Sequence, residues 1–183
     1  MNKSIIRSHI ASLRKSMSPD EIEKLSSENI RHFLNLKEVT EAKSILLYAA
    51  LPKEVQTLPL IHTLSTGKQV WLPKVAGLEL EIRAYEGDSS LQKGNFNVPE
   101  PTGRLCPDPE NIDLVLVPGV AFSRNGARMG YGKGFYDRLL PKLRAKKIGF
   151  AFDFQLFDHI PTEDHDEHMD LIITNSEIIT LSR

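Results

Sequence analysis

The stretch that decides the fold of this chain is a glycine-rich loop, Gly126-Ala127-Arg128-Met129-Gly130-Tyr131-Gly132-Lys133-Gly134-Phe135-Tyr136-Asp137. An apolar run at residues 114–117 precedes it and predicts a buried strand, and residues 135–140 predict the start of a helix. Glycines let a backbone approach an anion closely, and a helix N-terminus adds partial positive charge. The stretch therefore predicts a phosphate site, with Arg128 and Lys133 as its full positive charges.

The glycine spacing separates this loop from the two commonest phosphate motifs. A P-loop requires glycine at position 127 and Ser or Thr at 134, where the chain has Ala127 and Gly134. A dinucleotide fingerprint requires glycine at position 135, where the chain has Phe135. The alternative is a flexible surface loop whose charges bind no ligand. It is less favoured, because ordering three alternating glycines among basic residues costs conformational entropy that a ligand-binding role would explain.

Length and composition indicate an ordinary globular protein. The chain has 183 residues, 40% of them hydrophobic and 26% charged, which suits one α/β domain over residues 1–183. A net charge of −1 argues against nucleic acid as the main partner. With one cysteine, no apolar leader and no run of membrane-spanning length, we expect a cytoplasmic protein with no membrane partner. The sequence leaves the oligomeric state open.

Helical and strand-like segments alternate along the chain. Ser18-Pro19-Asp20-Glu21 predicts a capped helix start, and Pro73 is predicted to end a strand. Residues 76–110 predict a long loop or extended excursion. The alternation predicts an α/β fold with a mainly parallel sheet flanked by helices, and with ligands at the carboxyl ends of its strands. Helices are predicted over residues 2–17, 18–36, 56–65 and 135–144, the last of them ended or kinked by Pro141. Strands are predicted over residues 44–48, 70–72, 114–117, 148–152, 171–174 and 178–179.

The first helix carries a basic stripe. Lys3, Arg7 and Arg14 recur at spacings of four and seven residues, so they share one helix face. On sequence alone, a solvated helix face is the better interpretation of this stripe.

Two acidic positions are candidates for a metal site. Bound phosphate usually needs a divalent cation with oxygen ligands, and Asp137 directly follows the loop. Asp166 lies in a second polar stretch, residues 162–168. The alternatives are a first-turn acid favoured by the helix dipole and a solvated loop. A zinc cluster around His165 and His168 is less favoured, because no cysteine is at hand.

Residues 117–137 resemble the signature of the 5-formyltetrahydrofolate cyclo-ligase family, also called methenyltetrahydrofolate synthetases. Four further segments are similar to elements of that family in the same order. They are Lys3-Ser4-Ile5-Ile6-Arg7, the strand and turn that end in Glu54, Phe96-Asn97-Val98-Pro99-Glu100-Pro101, and Ile160-Pro161 through His165-Asp166.

The resemblance implies an ATP- and Mg²⁺-dependent conversion of 5-formyltetrahydrofolate to 5,10-methenyltetrahydrofolate, with release of ADP and phosphate. Carried over by position, Asp137 and Asp166 hold Mg²⁺, and Ala49, Glu54 and Phe96 contact the folate. Arg128 and Lys133 become the catalytic charges. The implied ATP ligands are Lys3, Arg7, Arg128, Met129, Gly130, Tyr131, Gly132, Lys133, Gly134, Phe135 and Tyr136.

Two alternatives of other kinds stay open on the sequence. The loop can grip the phosphate of a substrate in a sugar-phosphate isomerase-like enzyme that uses no ATP. The chain can also be a non-catalytic nucleotide- or folate-binding protein, since it shows no strong nucleophile. ATP hydrolysis that depends on 5-formyltetrahydrofolate discriminates between these functions.

Overall fold

The structure is a computed structural model that describes residues 2–94, 97–164 and 166–182. Its helices are α1 (Lys3–Ser16), α2 (Pro19–Leu34), α3 (Lys37–Glu41), α4 (Leu58–Ser65) and α5 (Phe135–Leu139). Its strands are β1 (Ser44–Leu46), β2 (Gln69–Ala76), β3 (Glu79–Ala84), β4 (Leu91–Lys93), β5 (Pro99–Pro101), β6 (Leu114–Val117), β7 (Ala121–Ser123), β8 (Arg128–Met129), β9 (Lys146–Phe150), β10 (Leu156–Phe157), β11 (Leu171–Ile173) and β12 (Ile178–Thr180).

Within the described residues, a seven-stranded sheet has the order β12-β11-β9-β6-β1-β2-β3. Its five inner strands are parallel, and β3 and β12 join antiparallel at the two edges. Two small sheets accompany it, β10-β7-β8 and β4-β5. The predicted mixed α/β fold with a mainly parallel sheet is confirmed.

The sheet is buried on both faces. All four residues of β6 are buried, which explains why that strand is a continuous apolar run. One face packs under α2 and α4 around Phe33 and Leu60, and the other packs around Phe122 and Leu140. Each such side chain contributes about 1.5–3 kcal/mol by leaving water.

The start of α2 follows from its sequence. The Ser18 hydroxyl accepts a hydrogen bond from the Glu21 N–H at 3.1 Å, and the Glu21 carboxylate accepts one from the Ser18 N–H at 2.8 Å. Pro19 occupies the first helical turn, where its missing N–H leaves no bond unmade. The predicted capping box is confirmed.

Pro73 lies inside β2, so the prediction that it ends a strand at residue 72 is wrong. Its register partner in β3 is Ile82, whose carbonyl accepts from the Cys106 N–H at 2.8 Å and therefore points away from β2. On the other side, β1 ends at Leu46, opposite Trp71. Pro73 can stay in the strand because neither neighbour needs its missing N–H.

Other parts of the fold also differ from the sequence predictions. The helix after the glycine loop ends at Leu139, and Pro141 lies in a 3-10 turn that follows it, because proline cannot continue the α-helical hydrogen bonds. The loop itself is preceded by the short β7–β8 hairpin, which the sequence did not predict. Residues 76–110 contribute an edge strand and the β4–β5 pair as well as loops.

Among the described residues, no helix combines the length and apolar character needed to cross a membrane.

Candidate active site

A cavity of about 380 Å³ opens at the carboxyl ends of β1 and β6. Its walls come from the turn after β1, the second half of β2 with β3, the glycine loop and the first turn of α5. The lining residues are Tyr48, Ala49, Leu51, Glu54, Pro73, Val75, Leu80, Val98, Glu100, Pro118, Arg128, Gly130, Tyr131, Lys133, Gly134, Phe135, Tyr136 and Asp137. An apolar wall and a charged glycine loop thus face the same space.

The glycine loop has left-handed backbone at Gly126, Gly132 and Gly134, and the last two flank Lys133. Gly132 has φ +94° and Gly134 has φ +70°, and both conformations are unfavourable for residues with a side chain. Gly134 precedes the first residue of α5 and turns the chain into that helix. A Cβ at Gly132 would meet nothing closer than the Arg7 guanidinium at 3.7 Å, so its backbone is open to approach.

Helix α1 braces the glycine loop and the acidic stretch together. The Nε and Nη2 groups of Arg7 each donate to the Gly130 carbonyl at 3.2 Å. One turn earlier, the Lys3 ammonium lies 2.6 Å from the Glu163 carboxylate. The structure thus brings Lys3 and Arg7 to the two segments that the sequence analysis singled out, and their role as ATP ligands stays a prediction.

Arg128 and Asp137 form an ion pair at the cavity wall. The guanidinium of Arg128 donates to the Asp137 carboxylate at 2.8 Å and to the Pro118 carbonyl at 3.0 Å. It also lies over the Tyr136 ring, 5.5 Å from the ring centre. The Arg128 side chain is only 5% exposed, against 43% for Asp137. Arg128 therefore fixes the direction of the carboxylate.

Glu54 is a buried carboxyl group in the apolar wall, 5% exposed. Its Oε2 accepts from the Leu51 N–H at 2.8 Å, and its Oε1 accepts from the Tyr131 hydroxyl at 2.6 Å. Burial raises the pKa of Glu54, while these two hydrogen bonds and the charge of Arg14 act in the opposite direction. Burial and the nearby Glu54 carboxylate also raise the pKa of Tyr131. A carboxyl group with a raised pKa in a cavity is typical of a functional site.

Arg14 is the site residue that sequence reasoning missed. It was interpreted as part of a solvated basic stripe, and that interpretation is wrong because Arg14 is buried. Its guanidinium donates to the Gly119 carbonyl at 3.0 Å and to the Tyr131 hydroxyl. The spacing of seven residues from Arg7 was the signal, since it places both arginines on the face of α1 that meets the glycine loop.

The remaining predicted residues fall in different places. Ala49 lines the cavity, whereas Phe96 lies outside the described residues. Asp166 lines a separate cavity of about 410 Å³ with Asn125 and His168, and its carboxylate accepts from the Glu163 N–H at 2.8 Å. The described residues contain no cluster of three or more His, Cys, Asp or Glu side chains that could hold a metal, and His165 of the alternative zinc cluster is not among them.

A charged cavity at the carboxyl ends of parallel strands is the architecture of an α/β enzyme. Residues 1–175 match the model of the 5-formyltetrahydrofolate cyclo-ligase family, and the chain belongs to that enzyme family.

Individual relatives agree with this assignment. The chain is 32% identical over 171 residues to the 5-formyltetrahydrofolate cyclo-ligase of Haemophilus influenzae, covering 88% of this chain and 91% of that protein. It is 27% identical, over an alignment 199 positions long, to a probable 5-formyltetrahydrofolate cyclo-ligase of Schizosaccharomyces pombe, and the alignment covers 98% of each chain.

Two solved structures share the fold. The NMR structure of Aquifex aeolicus 5,10-methenyltetrahydrofolate synthetase superposes with a TM-score of 0.91 at 34% identity, covering 100% of this chain and 94% of that one. A 5,10-methenyltetrahydrofolate synthetase from Mycoplasma pneumoniae gives 0.76 at 28% identity, covering 94% and 98%.

Proposed function

We propose that this protein converts 5-formyltetrahydrofolate to 5,10-methenyltetrahydrofolate and consumes ATP in the presence of Mg²⁺. The proposal depends on one observation: the apolar wall around Glu54 faces the glycine loop and Arg128 across the same cavity. An aromatic, largely apolar ligand and a phosphate chain can meet in such a space. Membership of the cyclo-ligase family supports the same reaction.

In this proposal, the two walls of the cavity take the two substrates. The folate ring lies against the apolar wall with Ala49 and Glu54. Phe96, which lies outside the described residues, stays a proposed folate contact on the family resemblance alone. ATP lies along residues 128–136 of the glycine loop, with its phosphates near Lys3 and Arg7 at the N-terminal half of α1. The sharp glycine turn at residue 132 allows the backbone N–H groups to approach the phosphates.

The chemistry needs activation of a poor leaving group. The formyl oxygen of the substrate attacks the γ-phosphorus of ATP, the bond from that phosphorus to the bridging oxygen breaks, and ADP leaves. The lone pair of folate N10 then attacks the activated formyl carbon. The carbon–oxygen bond breaks, phosphate departs with the oxygen, N10 loses its proton, and the ring amidinium of the product forms.

The protein's part in this reaction is positioning and charge neutralisation. Lys133 lines the cavity from the loop, and Arg128 contributes a second positive charge that is held rigid by Pro118 and Asp137. The apolar wall excludes water from the activated carbon. No protein nucleophile is required, because N10 belongs to the substrate.

Asp137 fits a magnesium ion at the phosphates. Magnesium takes one or two carboxylates together with phosphate oxygens and water, and Asp137 is a half-exposed carboxylate in the cavity wall. When bound, the ion neutralises phosphate charge. Asp166 stays the second proposed ligand on the family resemblance alone, since it lines the other cavity. The Lys3–Glu163 pair holds the acidic stretch against α1, which also braces the glycine loop.

The proposal is tested by ADP formation from ATP with and without 5-formyltetrahydrofolate. We expect ADP to appear only when the folate is present. A sugar-phosphate isomerase-like enzyme or a non-catalytic binding protein would release no ADP in response to the folate.

A further inference from the structure

Three side chains form a hydrogen-bonded series from α1 to the cavity. Arg14 donates to the hydroxyl of Tyr131, and that hydroxyl donates to the Glu54 carboxylate at 2.6 Å. The three residues come from a helix, the glycine loop and the turn after β1, so folding alone brings them together. The family resemblance assigns no role in substrate binding to Arg14.

The direction of these hydrogen bonds is fixed by chemistry. An arginine guanidinium can only donate, so the Tyr131 oxygen accepts from Arg14. The single hydroxyl proton of Tyr131 is then available for Glu54. Because the Leu51 N–H holds the other carboxylate oxygen at 2.8 Å, both oxygens of Glu54 have a defined orientation.

Arg14 is itself held in one place. The Gly119 carbonyl accepts from its guanidinium at 3.0 Å, and the guanidinium lies 5.6 Å from the centre of the Tyr131 ring. Its Nε is buried and has no hydrogen-bond partner among the described residues. A buried donor without a hydrogen-bond partner destabilises the folded protein. Arg14 is therefore better explained by the position of its guanidinium than by a contribution to stability.

We propose that Arg14 is a positioning residue that acts through the Tyr131 hydroxyl to hold the Glu54 carboxylate in its cavity-lining orientation. The inference rests on the proposed function, because a folate ring offers the N–H donors that an oriented carboxylate can bind. Arg14 touches neither substrate in this arrangement. Tyr131 acts through its side chain on the folate side, in addition to the ATP contacts expected of its backbone.

The groups around Glu54 determine how the arrangement responds to pH. Tyr131 and Arg14 face it from the loop and α1, and the buried hydroxyls of Tyr48 and Tyr136 are close enough to interact with its charge. Arg14 and the Tyr131 hydrogen bond both favour the ionised carboxylate. Removing either group should therefore raise the pKa of Glu54 further.

The experiment compares Arg14→Met, Tyr131→Phe and the double variant with Lys15→Met, a matched change at the next and exposed position of α1. We expect Arg14→Met and Tyr131→Phe each to raise KM for 5-formyltetrahydrofolate about tenfold, which corresponds to the loss of one charge-assisted hydrogen bond. The effect of either change on KM for ATP should be smaller. The acid limb of the kcat/KM profile should move to higher pH. The double variant should be no worse than the more impaired single variant, because both changes interrupt one series.

A purely structural role for Arg14 predicts a different result. Arg14→Met would then lower the unfolding midpoint but keep the KM for folate and the pH profile of Lys15→Met, and this outcome overturns the proposal. The proposal is also overturned if the effects of Arg14→Met and Tyr131→Phe on KM add in the double variant. Arg14→Lys keeps a charge and a donor, so it should restore part of the KM if Arg14→Met proves poorly folded.

Carbon NMR of ¹³C-labelled glutamate side chains separates this inference from the proposed function. The Glu54 signal, assigned with Glu54→Gln, should titrate at higher pH in Arg14→Met and in Tyr131→Phe than in the parent protein and Lys15→Met. An unshifted titration overturns the positioning role even if the enzyme is active. Absence of methenyltetrahydrofolate formation by the parent protein overturns the proposed function and leaves this titration valid.

Discussion

The guanidinium of Arg128 lies 2.8 Å from the carboxylate of Asp137, so the buried charge of the glycine loop and the acid of the following helix form one ion pair. The pair joins two residues that the sequence analysis assigned to separate roles, catalysis and metal binding. In the structure, each determines the orientation of the other.

Arg128→Ala should lower kcat by about 10²- to 10³-fold with a smaller effect on ATP affinity, because in the proposed reaction Arg128 is the fixed charge that stabilises the transferring phosphoryl group. It also frees Asp137 from its partner. Steady-state kinetics measure the effect, with Arg124→Ala as control, since Arg124 is half exposed and pairs with Glu177 away from the cavity. A raised KM for ATP with unchanged kcat would show that Arg128 binds the ground state only.

Gly132→Val should abolish ATP binding while the protein stays folded. The φ of +94° is strained for valine, and the loop backbone would have to move away from the phosphates. Gly87→Val is the matched control, because Gly87 has φ +95° and no described atom lies within 4 Å of its Cβ position, against 3.7 Å to the nearest atom at Gly132. Calorimetric titration should show normal ATP affinity for Gly87→Val alone. Normal affinity in a folded Gly132→Val would refute the phosphate role of the loop.

Asp137→Asn should raise the Mg²⁺ concentration needed for half-maximal activity by about tenfold or more, since it removes the charge of a proposed magnesium ligand and keeps the shape of the side chain. Asp158→Asn is a suitable control, because the Asp158 side chain is 87% exposed. The same titration decides the place of Asp166. If Asp166→Asn also raises the requirement and the double variant is no worse than the single ones, both bind one ion. An unchanged midpoint for Asp166→Asn removes it from the site.

The raised pKa of Glu54 predicts a pH dependence of stability. A carboxyl group whose pKa in the folded protein lies above its ordinary 4.5 favours the folded state most when protonated, so that contribution is lost as pH rises through the folded pKa. The unfolding midpoint of the parent protein should therefore fall relative to Glu54→Gln as pH rises from 4.5 through that pKa. Glu177→Gln tests the sign below pH 4.5, because Arg124 lowers the pKa of Glu177. The midpoint of the parent protein should there rise relative to Glu177→Gln as pH rises from the lowered pKa to 4.5, by a small amount at this exposed site. A parallel pH dependence for the parent protein and Glu54→Gln would contradict the raised pKa.

Much of the fold was predictable because local signals agreed with the tertiary structure. β6 is apolar throughout since both its faces are covered, and the Ser18 capping box specifies the start of α2 without help from packing. The β7–β8 hairpin was not predictable, because its strands are two or three residues long and one contains the buried Arg128. Pro73 misled the prediction because its tolerance in β2 depends on where β1 ends.

The site was predictable where chemistry is local and not where it depends on packing. The glycine loop carries its own signal in Gly130, Gly132 and Gly134. The burial of Arg14 depends on the Gly119 carbonyl and on Tyr131, both more than 100 positions away, so helical spacing could show a shared face but not what covers it.

The most direct test of the central claim is the absorbance of 5,10-methenyltetrahydrofolate after the protein is mixed with 5-formyltetrahydrofolate, ATP and Mg²⁺. The account predicts that absorbance rises in proportion to protein, that omission of ATP or Mg²⁺ abolishes the rise, and that one ADP forms for each product molecule. No rise with the folded protein, or an equal rise without ATP, would contradict it.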